Sequence, residues 1–186
     1  MQKIYTEIIG TEVINAQNGK RLARVQDLLI DPENGKVIAV IVNLKKNLII
    51  SVMDIAKWGK NIQINDPHSI IDGFEILKVK KIQEEEIKII KSSVKTEEKK
   101  YIGTVHNYYI ESDIGNLSKI LTRKKFLFFH YDERIIDYRE IVEIKKGEII
   151  IKADAKVEKL KKARNFEKRN QKLAIDSGAA RLKEIN

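Results

Sequence analysis

Short apolar runs dominated by Ile, Val and Leu recur along the chain, and turn residues break them. Residues 25–30 and 37–42 are two such runs, joined by Pro32-Glu33-Asn34-Gly35. Proline pre-sets a turn φ and glycine accepts the positive φ that closes it, so this segment predicts a hairpin. β-Branched runs at this spacing predict a small barrel or sandwich.

The pattern then returns. Ile9-Gly10-Thr11-Glu12-Val13 is echoed by Ile90-Lys91-Ser92-Ser93-Val94, about eighty positions on, and Gly35 by Gly115 at an offset of 80. Leu48-Ile49-Ile50-Ser51-Val52-Met53-Asp54-Ile55 is echoed by Arg134-Ile135-Ile136-Asp137-Tyr138-Arg139-Glu140-Ile141 at an offset of 86. Each is followed by a short strand pattern, Ile62-Gln63-Ile64 and Ile149-Ile150-Ile151. A unit this long is a duplicated small domain, not a solenoid repeat. The change in offset gives the second copy six extra residues in one hairpin, around Arg123 to Glu133.

The first copy reads Leu22-Ala23-Arg24-Val25-Gln26-Asp27-Leu28-Leu29-Ile30-Asp31-Pro32-Glu33-Asn34-Gly35-Lys36-Val37. With the Ile49–Ile55 and Ile135–Ile141 segments, this resembles the PRC-barrel domain family over most of the chain from Ile4 to Asp154. Ala23 stands where that family favours Gly, and the second copy has Asn107 and Glu111 at the positions of Asp27 and Asp31. The resemblance implies two tandem small β-barrels. It implies no single activity. The domain occurs in the cytoplasmic H subunit of photosynthetic reaction centres, in a ribosome maturation factor and in archaeal cell-division adaptors, roles that share the binding of another protein.

The expected organisation is therefore mainly β: residues 1–82 and 83–155 as two PRC-barrel-like domains, then a basic, helical tail at 156–186. Between the copies, Phe74-Glu75-Ile76-Leu77-Lys78-Val79 alternates like a strand of the first barrel or a bridge between the two. The tail loses the β-branched runs and fills with Lys, Glu, Arg, Ala and Leu, which predicts a helix from Lys156 to about Ala174. Charge sharpens that division. The net charge is +9, and residues 156–186 hold ten Lys or Arg against four Asp or Glu.

Chemistry is sparse. The chain has no cysteine, which excludes disulfides and fits a cytoplasmic setting, and the expected localisation is cytoplasmic, peripheral to a larger assembly. His68, His106 and His130 lack metal-ligand spacing. Asp31 to Gly35 lacks the sixth-position Gly and twelfth-position Glu of a calcium loop. Asp27 and Asp54 read better as strand-end groups than as a catalytic pair. No phosphate loop or nucleophile elbow is present. These features predict no enzyme, no cofactor and no metal.

Two features suggest contacts. In Phe126-Leu127-Phe128-Phe129-His130-Tyr131, side chains alternate across a strand, so Phe126 and Phe128 share one face and Phe129 and Tyr131 the other. Both faces are apolar and call for cover, by the first barrel, the tail, a protein partner or a second chain in a homodimer. The tail supplies Lys159, Lys161, Lys162, Arg164, Lys168, Arg169 and Lys172 for an anionic surface: RNA phosphates, an acidic protein or lipid. The expected function is a non-enzymatic adaptor. The alternative is a ribosome- or RNA-associated assembly factor.

Overall fold

The structure, a computed structural model, describes residues 2–111, 115–126 and 130–160. The chain opens with β1 (Gln2–Ile4), the single turn α1 (Tyr5–Ile8), β2 (Glu12–Asn15), β3 (Arg21–Arg24), β4 (Asp27–Ile30), β5 (Val37–Asn43) and β6 (Leu48–Ser51). It continues with β7 (Ile55–Trp58), β8 (Ile62–Ile64), β9 (Ile70–Asp72) and α2 (Leu77–Glu84). The second unit contains β10 (Ser93–Thr96), β11 (Tyr101–Glu111), β12 (Asn116–Phe126), β13 (His130–Asp137), β14 (Ile141–Lys145), β15 (Glu148–Ile151) and β16 (Val157–Lys159).

The pairing scheme of the first unit recurs in the second. β2 runs parallel to β8 and antiparallel to β3, as β10 does to β15 and β11. The β4–β5–β6–β9 ladder has its counterpart in β11–β12–β13–β16. An equivalent 3₁₀ turn closed by a strand-end side chain follows β6 in the first unit and β13 in the second: Ser51 Oγ accepts the Met53 N–H, and Asp137 Oδ1 the Arg139 N–H.

Two expectations are corrected here. Among the described residues neither unit closes into a barrel. In the first, β3-β2-β8-β7 and β4-β5-β6-β9 are separate four-stranded sheets. In the second, β14 and β16 are the two ends of one sheet among the described residues. In the first unit the 3₁₀ turn after β6 carries the chain from one sheet to the other, and no strand pairing joins the two among the described residues. The helix expected from Lys156 is also not what the described residues form. Residues 157–159 are the strand β16, with Ile136 opposite Val157, just as Ile50 lies opposite Ile70. The domain boundary expected at 155 thus falls inside the ladder of the second unit. Residues 161–186 lie outside the described residues, and the remainder of the expected helix falls there.

Residues 74–79 are a further correction. They form a 3₁₀ turn, Gly73–Glu75, and the start of α2 rather than a strand. The three-residue step Ile76, Val79, Ile82 puts one apolar face on the sheet. Val79 and Ile82 are buried there with Leu29, Ala39, Ile41 and Ile49. The opposite face of the same sheet packs into the main core. Burial on both faces is why residues 37–42 read as an unbroken apolar run. Lys78 ties α2 to the β4–β5 turn, its Nζ lying 2.5 Å from Oδ2 of the buried Asp31.

The main core runs through both units without a break. Val13, Ile50, Ile62 and Ile64 of the first and Val94, Ile120, Ile136 and Ile149 of the second belong to one cluster, all fully buried. The opening strand crosses between the units: β1 pairs with the end of β11.

The duplication exposes local strain. Gly10 and Gly19 have left-handed backbones, φ +84° and +68°, and their counterparts are Lys91 at +72° and Lys99 at +63°. A side chain in that region costs about 1–2 kcal/mol. Glycine also loses roughly 0.5–1 kcal/mol more entropy on folding. Lys99→Gly should therefore raise stability by up to about 1 kcal/mol, measured by urea unfolding. A loss of stability would mean that contacts of the lysine outweigh the strain.

Candidate interaction site

Of the two carboxylates considered as a pair, Asp27 is engaged locally. Asp27 Oδ1 accepts the Tyr5 hydroxyl at 2.9 Å and the Leu28 N–H at 2.8 Å. Asp54 is exposed on the 52–54 turn, away from this network. Tyr5 stacks on Tyr108 with ring centroids 4.7 Å apart. Burial, then the Asp27 charge and hydrogen bond, push the Tyr5 phenol well above its ordinary value. Burial does the same to Tyr108. Both hydroxyls stay protonated at neutral pH, so they pack and position. Among the described residues, no group of three or more His, Cys, Asp or Glu side chains converges on a metal position.

One concave surface is lined by the β4–β5 sheet, α2 and residues 86–90. It encloses about 460 Å³. Leu29 and Ile41 of the sheet line it, with Ile82 of α2 and Ile87 of the following segment. Leu44 and Phe74 stand at its mouth, 58% and 54% exposed. The polar contacts that set this mouth are specific. Gln83 Nε2 donates to Asn47 Oδ1 at 2.7 Å, and Asn47 Nδ2 to Asp72 Oδ1 at 3.3 Å. Asn47 itself is left-handed, φ +52°. Gln83 Oε1 is buried without a partner. Leu77, on the first turn of α2, extends the apolar surface at 84% exposure.

The sequence did not single out this groove, because its residues come from four separate segments. One local signal was present: Leu44 is a large apolar residue in a four-residue turn otherwise made of Lys and Asn. The aromatic hairpin is partly placed. The β12–β13 ribbon continues to the pair Phe126 and His130, with Lys125 opposite Tyr131. The backbones of Phe126 and Tyr131 thus lie at its far end, whereas Phe128 and Phe129 fall outside the described residues. Of the tail cations, Lys159 is exposed on β16. Lys161, Lys162, Arg164, Lys168, Arg169 and Lys172 lie outside the described residues.

His106 occupies a bulge at the foot of this ribbon, between Val105 and Asn107. Its counterpart Gln26 accepts the Leu44 N–H at 2.8 Å, whereas His106 Nε2 is buried without a partner. Burial, then repulsion from Arg123, hold its pKa below the ordinary value, with Glu133 acting in the opposite sense. The unfolded chain therefore takes up this proton first, and His106 destabilises the fold as pH falls through its unfolded value of about 6.5. His106→Gln should lose less stability than the native chain between about pH 7 and 5, by chemical unfolding at each pH. Parallel losses would remove His106 from the account.

Among the described residues no helix is long and apolar enough to cross a membrane. Residues 1–71 match the PRC-barrel domain. The match begins with β1 and ends inside β9. No curated protein matches the chain.

Proposed function

We propose that residues 93–159 are a second PRC-barrel-like copy and that the protein is a non-enzymatic adaptor that binds a protein partner. The observation that supports the adaptor reading is the groove between the β4–β5 sheet of the matched residues and the segment 74–90 that follows them, with Leu44 and Phe74 exposed at its mouth. The domain family is often involved in protein interactions. The absence of cysteine is in keeping with a cytoplasmic role. The second reading, contact with RNA through the basic tail, draws on the concentration of Lys and Arg after residue 155.

Affinity purification of the full chain, with and without nuclease, separates the two. The adaptor reading expects a protein that survives nuclease and is lost from the double variant Leu44→Asp, Phe74→Asp. Capture of ribosomal material that disappears with nuclease, and is unaffected by the double variant, would overturn it in favour of the RNA reading.

A further inference from the structure

The two units meet turn to turn. Gly35 and Gly115, counterparts eighty positions apart, both have left-handed backbones, φ +69° and +64°. The Val37 N–H donates to the Gly115 carbonyl at 2.7 Å, and the Leu117 N–H to the Gly35 carbonyl at 2.8 Å. Val37 and Leu117 are themselves counterparts, and both are buried. Between them Lys36 and Asn116 form an isolated antiparallel bridge. Exchanging the two units maps this set of contacts onto itself.

The surrounding contacts obey the same exchange. A Cβ placed on Gly35 would lie 2.6 Å from the Tyr138 ring, and one on Gly115 would lie 3.9 Å from Val52. Tyr138 and Val52 open the equivalent 3₁₀ turns of the two units. A surface that meets its own counterpart in this reciprocal way is an isologous, two-fold interface. Two unlike domains joined by a connector have no physical reason to develop one.

We infer that the units hold each other as the halves of a two-fold dimer carried in one chain, so that the partner fitting this face is another copy of the same fold. The connector at residues 85–90 is then dispensable for their pairing. This inference rests on the contact geometry and is independent of what the groove binds.

The test uses the full chain with a protease site inserted between the exposed Glu85 and Glu86, cut after folding. At about micromolar concentration the two fragments should elute together, with the emission of Trp58 unchanged. Gly35→Ala and Gly115→Ala then act as a matched pair. Both impose a left-handed alanine, but only the first drives a methyl into a ring. In the cut protein Gly35→Ala should weaken fragment association roughly tenfold more than Gly115→Ala. Circular dichroism of each uncut variant checks that it folds. Fragments that part at micromolar concentration would overturn the inference, as would equal weakening by the two substitutions.

Discussion

Replacing Ile136 with alanine should destabilise the whole chain by about 2–5 kcal/mol, and Trp58, in the other unit, should report the full loss. Ile136 is fully buried, so truncation removes its transfer energy and leaves a cavity. It belongs to the same apolar cluster as Ile50, Ile62 and Ile64, and Trp58 packs against that cluster. Trp58 is the only tryptophan in the chain. Its fluorescence therefore watches the first unit while the damage is done in the second. A drop of roughly 5–15 °C in the melting temperature is expected, with fluorescence and far-ultraviolet circular dichroism giving coincident curves. If the Trp58 transition stays at its native temperature while the dichroism splits in two, the units melt separately and the shared core is not cooperative.

Val79→Asp should act differently, releasing α2 while leaving the main core in place. Val79 and Ile82 are the two α2 side chains buried against Leu29, Ile41 and Ile49. Burying a carboxylate among them costs more than leaving the helix undocked. The helix should therefore detach, forfeiting the burial of both residues, about 3–5 kcal/mol. The uncovered sheet face should bind a hydrophobic dye, with Trp58 emission close to native. Unchanged dye binding would mean that the helix tolerates the charge by tilting it to solvent.

The duplication was legible in the sequence because it survives as paired positions: Gly35 and Gly115, Ile50 and Ile136, Ile62 and Ile149. Barrel closure was not, because it depends on where a three-residue turn sends the chain, and no local pattern encodes that. The two misread elements failed in opposite directions. Residues 74–79 alternate well enough to suggest a strand, yet the Ile76, Val79, Ile82 step decides the matter once a sheet face is there to cover. Val157 to Lys159 has helical composition, but pairing with β13 overrides propensity. The comparison with Ile70–Asp72 at the matching place in the first unit was the signal available. The groove was hidden for a third reason: Leu44, Phe74, Ile82 and Ile87 acquire a common meaning only after α2 docks.

The crossing of β1 into the second unit sets an order of events during synthesis. Gln2, Lys3 and Ile4 pair with Glu111, Ile110 and Tyr109, and Tyr5 stacks on Tyr108. A ribosome makes the first unit well before it makes those partners, and domains commonly fold as they emerge. The opening residues must therefore wait, unpaired, while the sheets of the first unit assemble beside them. Their late docking is the step that cannot precede translation of β11, and it fastens the earliest part of the chain to one of the later parts.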